Sequence, residues 1–329
     1  MARLMTVKRA VFILAASLLA TLLPATASAA SEGVKITKLQ DRLRVEIDGK
    51  LFTEYRFADV PRPFFYPVNW LDGETGMTRN YPMVDGVKGE ETDHKHHRGV
   101  WFAHRHVSGH DFWGETPKSG KIVHDKFLEL QSGKSVGVIR HATKYVSLQG
   151  KHICSDVREI RIHRRPEGRM LDFQVTVQAS HQDIVMEDDK DAGMGIRVPH
   201  TMKVAYRSKQ AAGGHMVNSE GDRDGDCWGK AAKWLDAHGM AGDKHLGVAI
   251  FDHPDNPRFP TWWHARTYGL ITANAFGKRH FERLKDPTAG EMKIPHGESR
   301  TWKYRFYWHE GDEKKGKVEQ RWREFAAGK

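Results

Sequence analysis

The 329-residue sequence contains only two cysteines and only one long apolar run. Two cysteines exclude a disulfide-dense scaffold and a zinc site with four cysteine ligands. A single apolar run and a mean hydropathy of −0.63 exclude a protein with several membrane-spanning helices. Internal repeats, low-complexity tracts and linkers are also lacking. We therefore expect one domain over residues 30–329.

The apolar run lies in residues 1–29, which have the pattern of a signal peptide. Three basic residues precede a 14-residue apolar stretch over 10–23, and Ala27, Ser28 and Ala29 follow Pro24. We predict cleavage after Ala29 and a periplasmic or secreted protein, with no stable membrane insertion afterwards. An uncleaved membrane anchor is the alternative. In an oxidising compartment the two cysteines, Cys154 and Cys227, could pair or remain separate thiols.

Basic residues exceed acidic ones, 52 against 42, but the excess is spread along the chain. A nucleic-acid-binding protein concentrates its basic residues on one face, so we predict no nucleic-acid partner.

Apolar and polar side chains alternate along most of the chain, which predicts β-strands. Residues 43–47 and 51–57 flank an Asp-Gly turn and predict a hairpin. Further strands are predicted over 136–146, 153–162, 171–177, 246–251, 268–275 and 302–308. Helices are predicted only over 230–237 and 317–326. The sequence thus predicts an all-β, mainly antiparallel fold: a large β-sandwich with a short C-terminal helix.

Histidine is concentrated in one segment: six of the 20 histidines fall within residues 93–113. Histidine transfers protons near neutral pH and is the commonest metal ligand. If residues 99–107 form one strand, His104 and His106 share a face, about 6.5–7 Å apart. His94 and His96 could converge in the same way. The alternative is that these histidines have no role in a site and only form hydrogen bonds with backbone groups or lie in solvent.

Roles follow from these positions. We predict His97 and His104 as acid–base catalysts and Arg98 as a fixed charge for a carboxylate or an oxyanion. His94, His96 and His106 are the candidate ligands of a divalent metal, and no other cofactor is predicted.

Aromatic and polar residues in proline-rich loops form a second set of candidates. Flat aromatic rings stack on sugars, and planar charged groups bind hydroxyls. His264 is a further candidate catalytic residue, and the acidic run over 187–191 could supply a carboxylate base or form a solvated turn. A shared site requires that residues 93–106 and 253–266 meet in one pocket. The candidate substrate-binding residues are Tyr66, Arg79, Asn80, Trp101, Trp113, Arg258 and Trp263.

Several motifs together resemble the bacterial PmoA-like family, also catalogued as methane oxygenase PmoA. The motifs are RPFFYP at 62–67, TRNYP at 78–82, DHKHHRG at 93–99, WFAH at 101–104 and DFW at 111–113. Because particulate methane monooxygenase is a membrane complex with many spanning helices, we interpret the oxygenase name as a misnomer for this chain. The pattern also looks like galactose-mutarotase-type supersandwiches, which bind sugars on a concave sheet and use histidine with a carboxylate.

These observations favour an exported carbohydrate-active enzyme, an epimerase, lyase or hydrolase of a sugar or uronic acid. Its partner would be a small-molecule or oligosaccharide substrate. The alternatives are a metal-dependent oxidase or oxygenase and a non-catalytic sugar-binding envelope protein.

Overall fold

The computed structural model describes residues 1–2, 32–206 and 209–328. The predicted signal peptide therefore lies almost wholly outside the described residues. Contacts group Ser31–Lys329 into one compact unit. Within the described part of the chain, no helix has the length and apolar character needed to cross a membrane.

Strands dominate the described residues. In chain order they are β1 (Val34–Lys38), β2 (Arg42–Ile47), β3 (Lys50–Arg56), β4 (Phe64–Val68), β5 (Val100–His104), β6 (His106–Val107), β7 (His110–Asp111), β8 (Lys121–Gln131), β9 (Val136–Val146), β10 (His152–His163), β11 (Arg169–Gln178), β12 (Ile184–Met186), β13 (Ala192–Arg197), β14 (His215–Asn218), β15 (Trp234–Ala241), β16 (Lys244–Asp252), β17 (Trp262–Trp263), β18 (Leu270–Asn274), β19 (Met292–Ile294) and β20 (Ser299–Glu310). The helices are α1 (Lys278–Glu282) and α2 (Val318–Ala326), with short 3-10 turns at His200–Met202 and Asp224–Cys227.

Among the described residues the strands form three antiparallel sheets. The first sheet has the order β1-β2-β3-β4-β5-β13-β18-β17, and the second has the order β14-β15-β16-β20-β11-β10-β9-β8. A small third sheet has the order β19-β12-β6-β7. This confirms the prediction of an all-β, mainly antiparallel fold.

The two large sheets share one apolar core, as the alternating sequence pattern predicts. Along β10, buried side chains such as Ile160 and Ile162 alternate with more exposed ones. The Phe52 ring from the first sheet meets the Trp308 ring from the second edge-on, with centroids 5.6 Å apart. The β-sandwich prediction is therefore confirmed.

The helix predictions have different outcomes. The C-terminal helix is confirmed as α2. The helix predicted over 230–237 is wrong, because Trp234–Ala241 is strand β15. Its residues pair with β16 through a tight hairpin that closes at the Ala241↔Lys244 pair. Burial of both faces of β15 hides the alternation that would have identified a strand.

The strand predicted over 99–107 is interrupted. β5 ends at His104, Arg105 lies outside both strands, and β6 begins at His106 in the third sheet. The expectation that His104 and His106 share a face is therefore wrong, since the two residues belong to different sheets.

Both cysteines, Cys154 and Cys227, are buried free thiols.

Candidate functional site

A pocket of about 340 Å³ lies beside the histidine-rich segment. The two stretches 93–106 and 253–266 do meet there, together with the chain just before β13. The lining residues are His94, His96, His97, Arg105, Lys190, Asp191, His264, Arg266 and Tyr268.

A second cavity of about 520 Å³ shares three lining residues with this pocket: His94, Arg266 and Tyr268. It continues past Tyr206 and Lys209. The two cavities are therefore adjacent.

Four rings form a stack beside the pocket, and three of them line it. His97 stacks on Trp101 with ring centroids 5.5 Å apart. His94 stacks on the other side of His97 at 4.8 Å, and Tyr268 stacks on His94 at 5.2 Å. The stack holds the short turn at 94–97 against β5.

His97 is the most constrained member of this stack. Its side chain is buried, and the Arg197 guanidinium donates a hydrogen bond to its Nδ1 across 3.2 Å. Because arginine can only donate, Nδ1 accepts and the ring proton of neutral His97 lies on Nε2. Burial, followed by the charges of His96 and Arg197, holds the pKa of His97 well below its usual value.

Asp93 holds the turn at 94–97 in place through its carboxylate. Its carboxylate accepts hydrogen bonds from Arg79 at 2.7 Å and from Arg197 at 3.2 Å, and His94 Nδ1 lies 2.9 Å from its other oxygen. Burial alone would raise the pKa of Asp93, but the hydrogen bond from His94 and the charges of Arg197 and Arg79 outweigh it, so the pKa is lowered.

Asp191 organises the cations of the pocket. Its Oδ2 accepts a hydrogen bond from Arg105 at 2.6 Å and from Lys190 at 3.0 Å, and His264 Nδ1 lies 3.6 Å from its Oδ1. Burial would raise the pKa of Asp191, but the charges of His264 and Lys190 lower it. Asp191 is therefore an anion that holds two cations at the pocket wall.

Two further pocket histidines, His96 and His264, are neutral near pH 7. Burial, followed by the charges of Arg62 and His94, lowers the pKa of His96 to about 4. Burial also lowers the pKa of His264 to about 4, against the opposing charge of Asp191. The pocket thus combines unprotonated imidazoles with the positive side chains of Arg105, Lys190 and Arg266. Such a set can bind an anionic group and accept a proton next to it.

The structure does not place His104 in this pocket. Its side chain is completely buried, its Nε2 donates to the Glu187 carbonyl at 2.8 Å, and its ring packs edge-on against Phe276. Burial lowers the pKa of His104 to about 4.

Arg98 is also outside the pocket lining. Its guanidinium binds the Glu115 carboxylate with two hydrogen bonds, at 2.8 and 2.7 Å. Glu115 also accepts from the fully buried Arg62 at 3.2 Å. Arg62 in turn donates to the carbonyls of His96 and Trp113, so these charges hold the loops behind the site.

Most candidate substrate-binding residues have internal partners. Arg258 donates to the carbonyls of Ala275 and Glu291, and Trp263 is buried with its indole nitrogen donating to Ala232. Trp101 and Trp113 are buried beside His97.

Arg79, besides binding Asp93, donates to the His94 carbonyl at 2.8 Å, and its side chain is buried. Tyr66 donates to Asn80 Oδ1 at 2.9 Å, and these two residues line a different cavity of about 730 Å³.

The predicted metal ligands are not brought together. His94 and His96 line the pocket, with ring centroids 5.6 Å apart. His106 instead lies 3.1 Å from Asp189 and lines a separate cavity with His110.

Sequence reasoning gave no role to four pocket residues: Arg105, Lys190, Arg266 and Tyr268. Arg105 and Arg266 lie inside the two stretches 93–106 and 253–266. Their positive charge could therefore have identified them as candidate ligand-binding residues from the sequence. Lys190 and Tyr268 reach the pocket because β13 and β18 are neighbours in the first sheet. Nothing in the sequence near these two residues predicts that pairing.

Residues 42–323 match the model of one protein family, described as a family of unknown function, DUF6807. The chain belongs to this family. The resemblance to the PmoA-like family is therefore wrong, since the family model that matches is this one. No curated protein matches the sequence.

Similar solved structures include sugar-related proteins. One is a candidate aldose 1-epimerase from Escherichia coli K12 (TM-score 0.37, 9% identity, covering 84% of this chain and 99% of that chain). Another is a galactose mutarotase-like protein from Lactobacillus casei ATCC 334 (TM-score 0.34, 7% identity, 84% and 100%). A third is a glycoside hydrolase family 97 enzyme from Pseudoalteromonas sp. strain K8 (TM-score 0.32, 9% identity, 83% and 34%).

Proposed function

We propose that the protein is a carbohydrate-active enzyme that removes a proton from the carbon beside the carboxylate of a sugar acid. Replacing that proton on the other face is epimerisation, and expelling a neighbouring glycosidic oxygen is lyase chemistry. The observation that carries the proposal is the presence of neutral His96 and His264 in one pocket with Arg105, Lys190 and Arg266.

The cations supply the binding step. A uronate carboxylate placed between Arg105, Lys190 and Arg266 would be neutralised, which lowers the energy of the enolate that forms on proton loss. Asp191 keeps Arg105 and Lys190 in place through its two contacts. Neutral sugars lack the carboxylate and would gain little from this clamp.

His96 is the proposed base. Its side chain is only partly buried, it lines the pocket, and its pKa of about 4 leaves it unprotonated at neutral pH. His97 carries its proton on Nε2 and therefore serves as a donor. Burial, partly offset by the charge of Arg197, raises the pKa of the Tyr268 hydroxyl, which keeps it protonated and able to donate to a leaving oxygen.

Glycoside hydrolysis is less compatible with the pocket. That reaction uses two carboxyl groups on opposite sides of the glycosidic bond. Among the described residues that line the pocket, Asp191 is the only carboxylate, and it is engaged by cations.

Deuterium exchange tests this function. The protein is incubated in D₂O with oligosaccharides of uronic acids, and NMR follows deuterium entry beside the carboxylate and formation of unsaturated product. We expect exchange or elimination with acidic sugars, and a loss of about 10²–10⁴-fold in His96→Ala with ligand binding retained. His296→Ala, an exposed histidine in a turn, is the control.

Unchanged turnover in His96→Ala would refute the assignment of the base. Binding without exchange on any sugar acid would instead support the non-catalytic sugar-binding alternative.

We also propose that the enzyme acts after export, because residues 1–29 have the features of a cleavable leader. N-terminal sequencing of protein from the periplasm or medium should find Ala30 as the first residue. An intact leader on the protein would contradict this.

A further inference from the structure

A second cluster of ionisable side chains lies on the second sheet, and none of its described members lines the pocket. Asp236 and His238 are on β15, and Glu313 is in the segment between β20 and α2. One potential ligand atom from each of the three lies within 4.8 Å of the other two.

The cluster is enclosed rather than spread over a surface. Asp236 is completely buried, His238 is 6% exposed, and the Glu313 side chain is 12% exposed. The two carboxylates of Asp236 and Glu313 repel each other at such close range when they are taken out of water. A bound cation would compensate for this repulsion.

The hydrogen bonds around Asp236 resemble those that support metal-binding carboxylates. Its Oδ1 lies 3.0 Å from His238 Nδ1, and its Oδ2 lies 2.6 Å from His309 Nε2. The bond from His309 fixes the orientation of the Asp236 carboxylate, as hydrogen bonds do for carboxylates that bind a metal.

Two further imidazoles flank His238. His215 on β14 is directly opposite it in the strand register, with ring centroids 5.8 Å apart. His245 on β16 lies on the other side, at 5.5 Å. Either ring, or a water molecule, could complete a four-coordinate set.

We propose that Asp236, His238 and Glu313 bind a Zn²⁺ ion. Imidazole nitrogen with carboxylate oxygen is a donor set that zinc accepts at about 2.0–2.2 Å. The ion would join the segment before α2 to strand β15, because Glu313 and His238 come from these two elements. Arg223, whose guanidinium lies 3.4 Å from Glu313, is largely exposed and can move away when the ion binds.

Titration with Zn²⁺ alone tests the site. The full chain without its leader is treated with a chelator, dialysed and titrated by calorimetry. We expect one equivalent to bind and to raise the melting temperature. Co²⁺ should give visible absorption bands of a four-coordinate site.

The variants are chosen to keep the fold. Glu313→Gln removes one ligand from a side chain that is only partly buried, and should weaken Zn²⁺ binding at least tenfold. Glu310→Gln makes the same chemical change three residues earlier, at the end of β20. The Glu310 side chain is 64% exposed and pairs with Lys315, so this variant should bind as the parent does.

Absence of stoichiometric binding in the parent protein would overturn the proposal. So would equal binding by Glu313→Gln and the parent, or loss of binding in His96→Ala instead, which would assign the ion to the pocket. The result does not depend on the proposed function, because Asp236, His238 and Glu313 are outside the pocket lining.

Discussion

Arg197 donates a hydrogen bond to Nδ1 of His97 and thereby fixes the tautomer of the most buried histidine in the pocket. We expect His97 to be the Nε2–H tautomer at pH 7 and to stay neutral at pH values that protonate an ordinary histidine. Burial and neighbouring positive charges hold its pKa well below its usual value. Nitrogen-15 NMR of histidine-labelled protein measures both the tautomer and the protonation state of His97. A charged His97 at pH 6 would contradict the assignment, and His97→Gln identifies its signals.

Acid should destabilise the protein over a defined window. A histidine in the unfolded chain takes up its proton near pH 6.5, whereas burial lowers the folded pKa of His104 to about 4. Between these values the unfolded state binds more protons, so stability is complete above pH 6.5 and falls as the pH drops towards 4. His104 alone would account for about 3 kcal/mol.

Urea unfolding at pH 7 and pH 5 measures this effect. His104→Gln retains a donor for the Glu187 carbonyl and should reduce the difference between the two pH values. The exposed His296→Gln should leave it unchanged. Equal pH dependence in parent and His104→Gln would show that His104 is not responsible.

Loss of one cation should weaken binding of acidic ligands selectively. Arg105→Ala removes a guanidinium that lines the pocket beside Asp191. We expect KM for an acidic substrate to rise about 10–100-fold, with a much smaller change for a neutral sugar. Inhibition of turnover by a panel of charged and neutral monosaccharides measures the selectivity. An equal effect on both classes would argue against an anion clamp.

Glu115 should matter to stability far more than an exposed acid does. Its replacement in Glu115→Gln leaves the fully buried Arg62 without its carboxylate and removes the partner of Arg98. We expect a loss of about 3 kcal/mol in the free energy of unfolding. Glu298→Gln, which breaks the exposed pair with Arg300, should cost less than about 1 kcal/mol. Similar losses would mean that the buried charges are paired by other groups.

Gly99 links the histidine turn to β5 and tolerates no side chain. Its φ is +54°, and a Cβ would collide with the Phe65 carbonyl oxygen. We expect Gly99→Ala to cost at least about 3 kcal/mol. Gly109 also has a positive φ, +81°, but open space around it, so Gly109→Ala should cost only about 1 kcal/mol. Thermal denaturation compares the two; equal losses would remove the steric explanation.

The parts that sequence predicts are those with a local pattern. Strand β9 and helix α2 follow from periodicity in their own residues, and β9 has the predicted bounds. The interruption at Arg105 could not be predicted, since the residues on both sides suit a strand. It depends on β6 pairing with β12, more than 70 residues away.

Some features of the site could likewise be predicted from the sequence, and others depend on tertiary contacts. His94, His96, His97 and His264 could be selected because histidine is concentrated near two informative loops. His104 and Arg98 have the same chemistry and the same neighbourhood in sequence, but only tertiary contacts with Glu187 and Glu115 show that they are internal. The residue type thus identifies candidate site residues from the sequence. Their hydrogen-bond partners in the folded protein decide which of them can bind a ligand.

The break between β5 and β6 makes the composition of the pocket sensitive to chain length. Arg105 reaches Asp191 because one residue separates the two strands. Deleting Arg105 would place His106 directly after His104. The position that now carries a guanidinium, which is always charged, would then carry an imidazole, whose charge depends on pH. The charge at this point of the pocket wall therefore depends on the spacing of the chain as well as on its residue types.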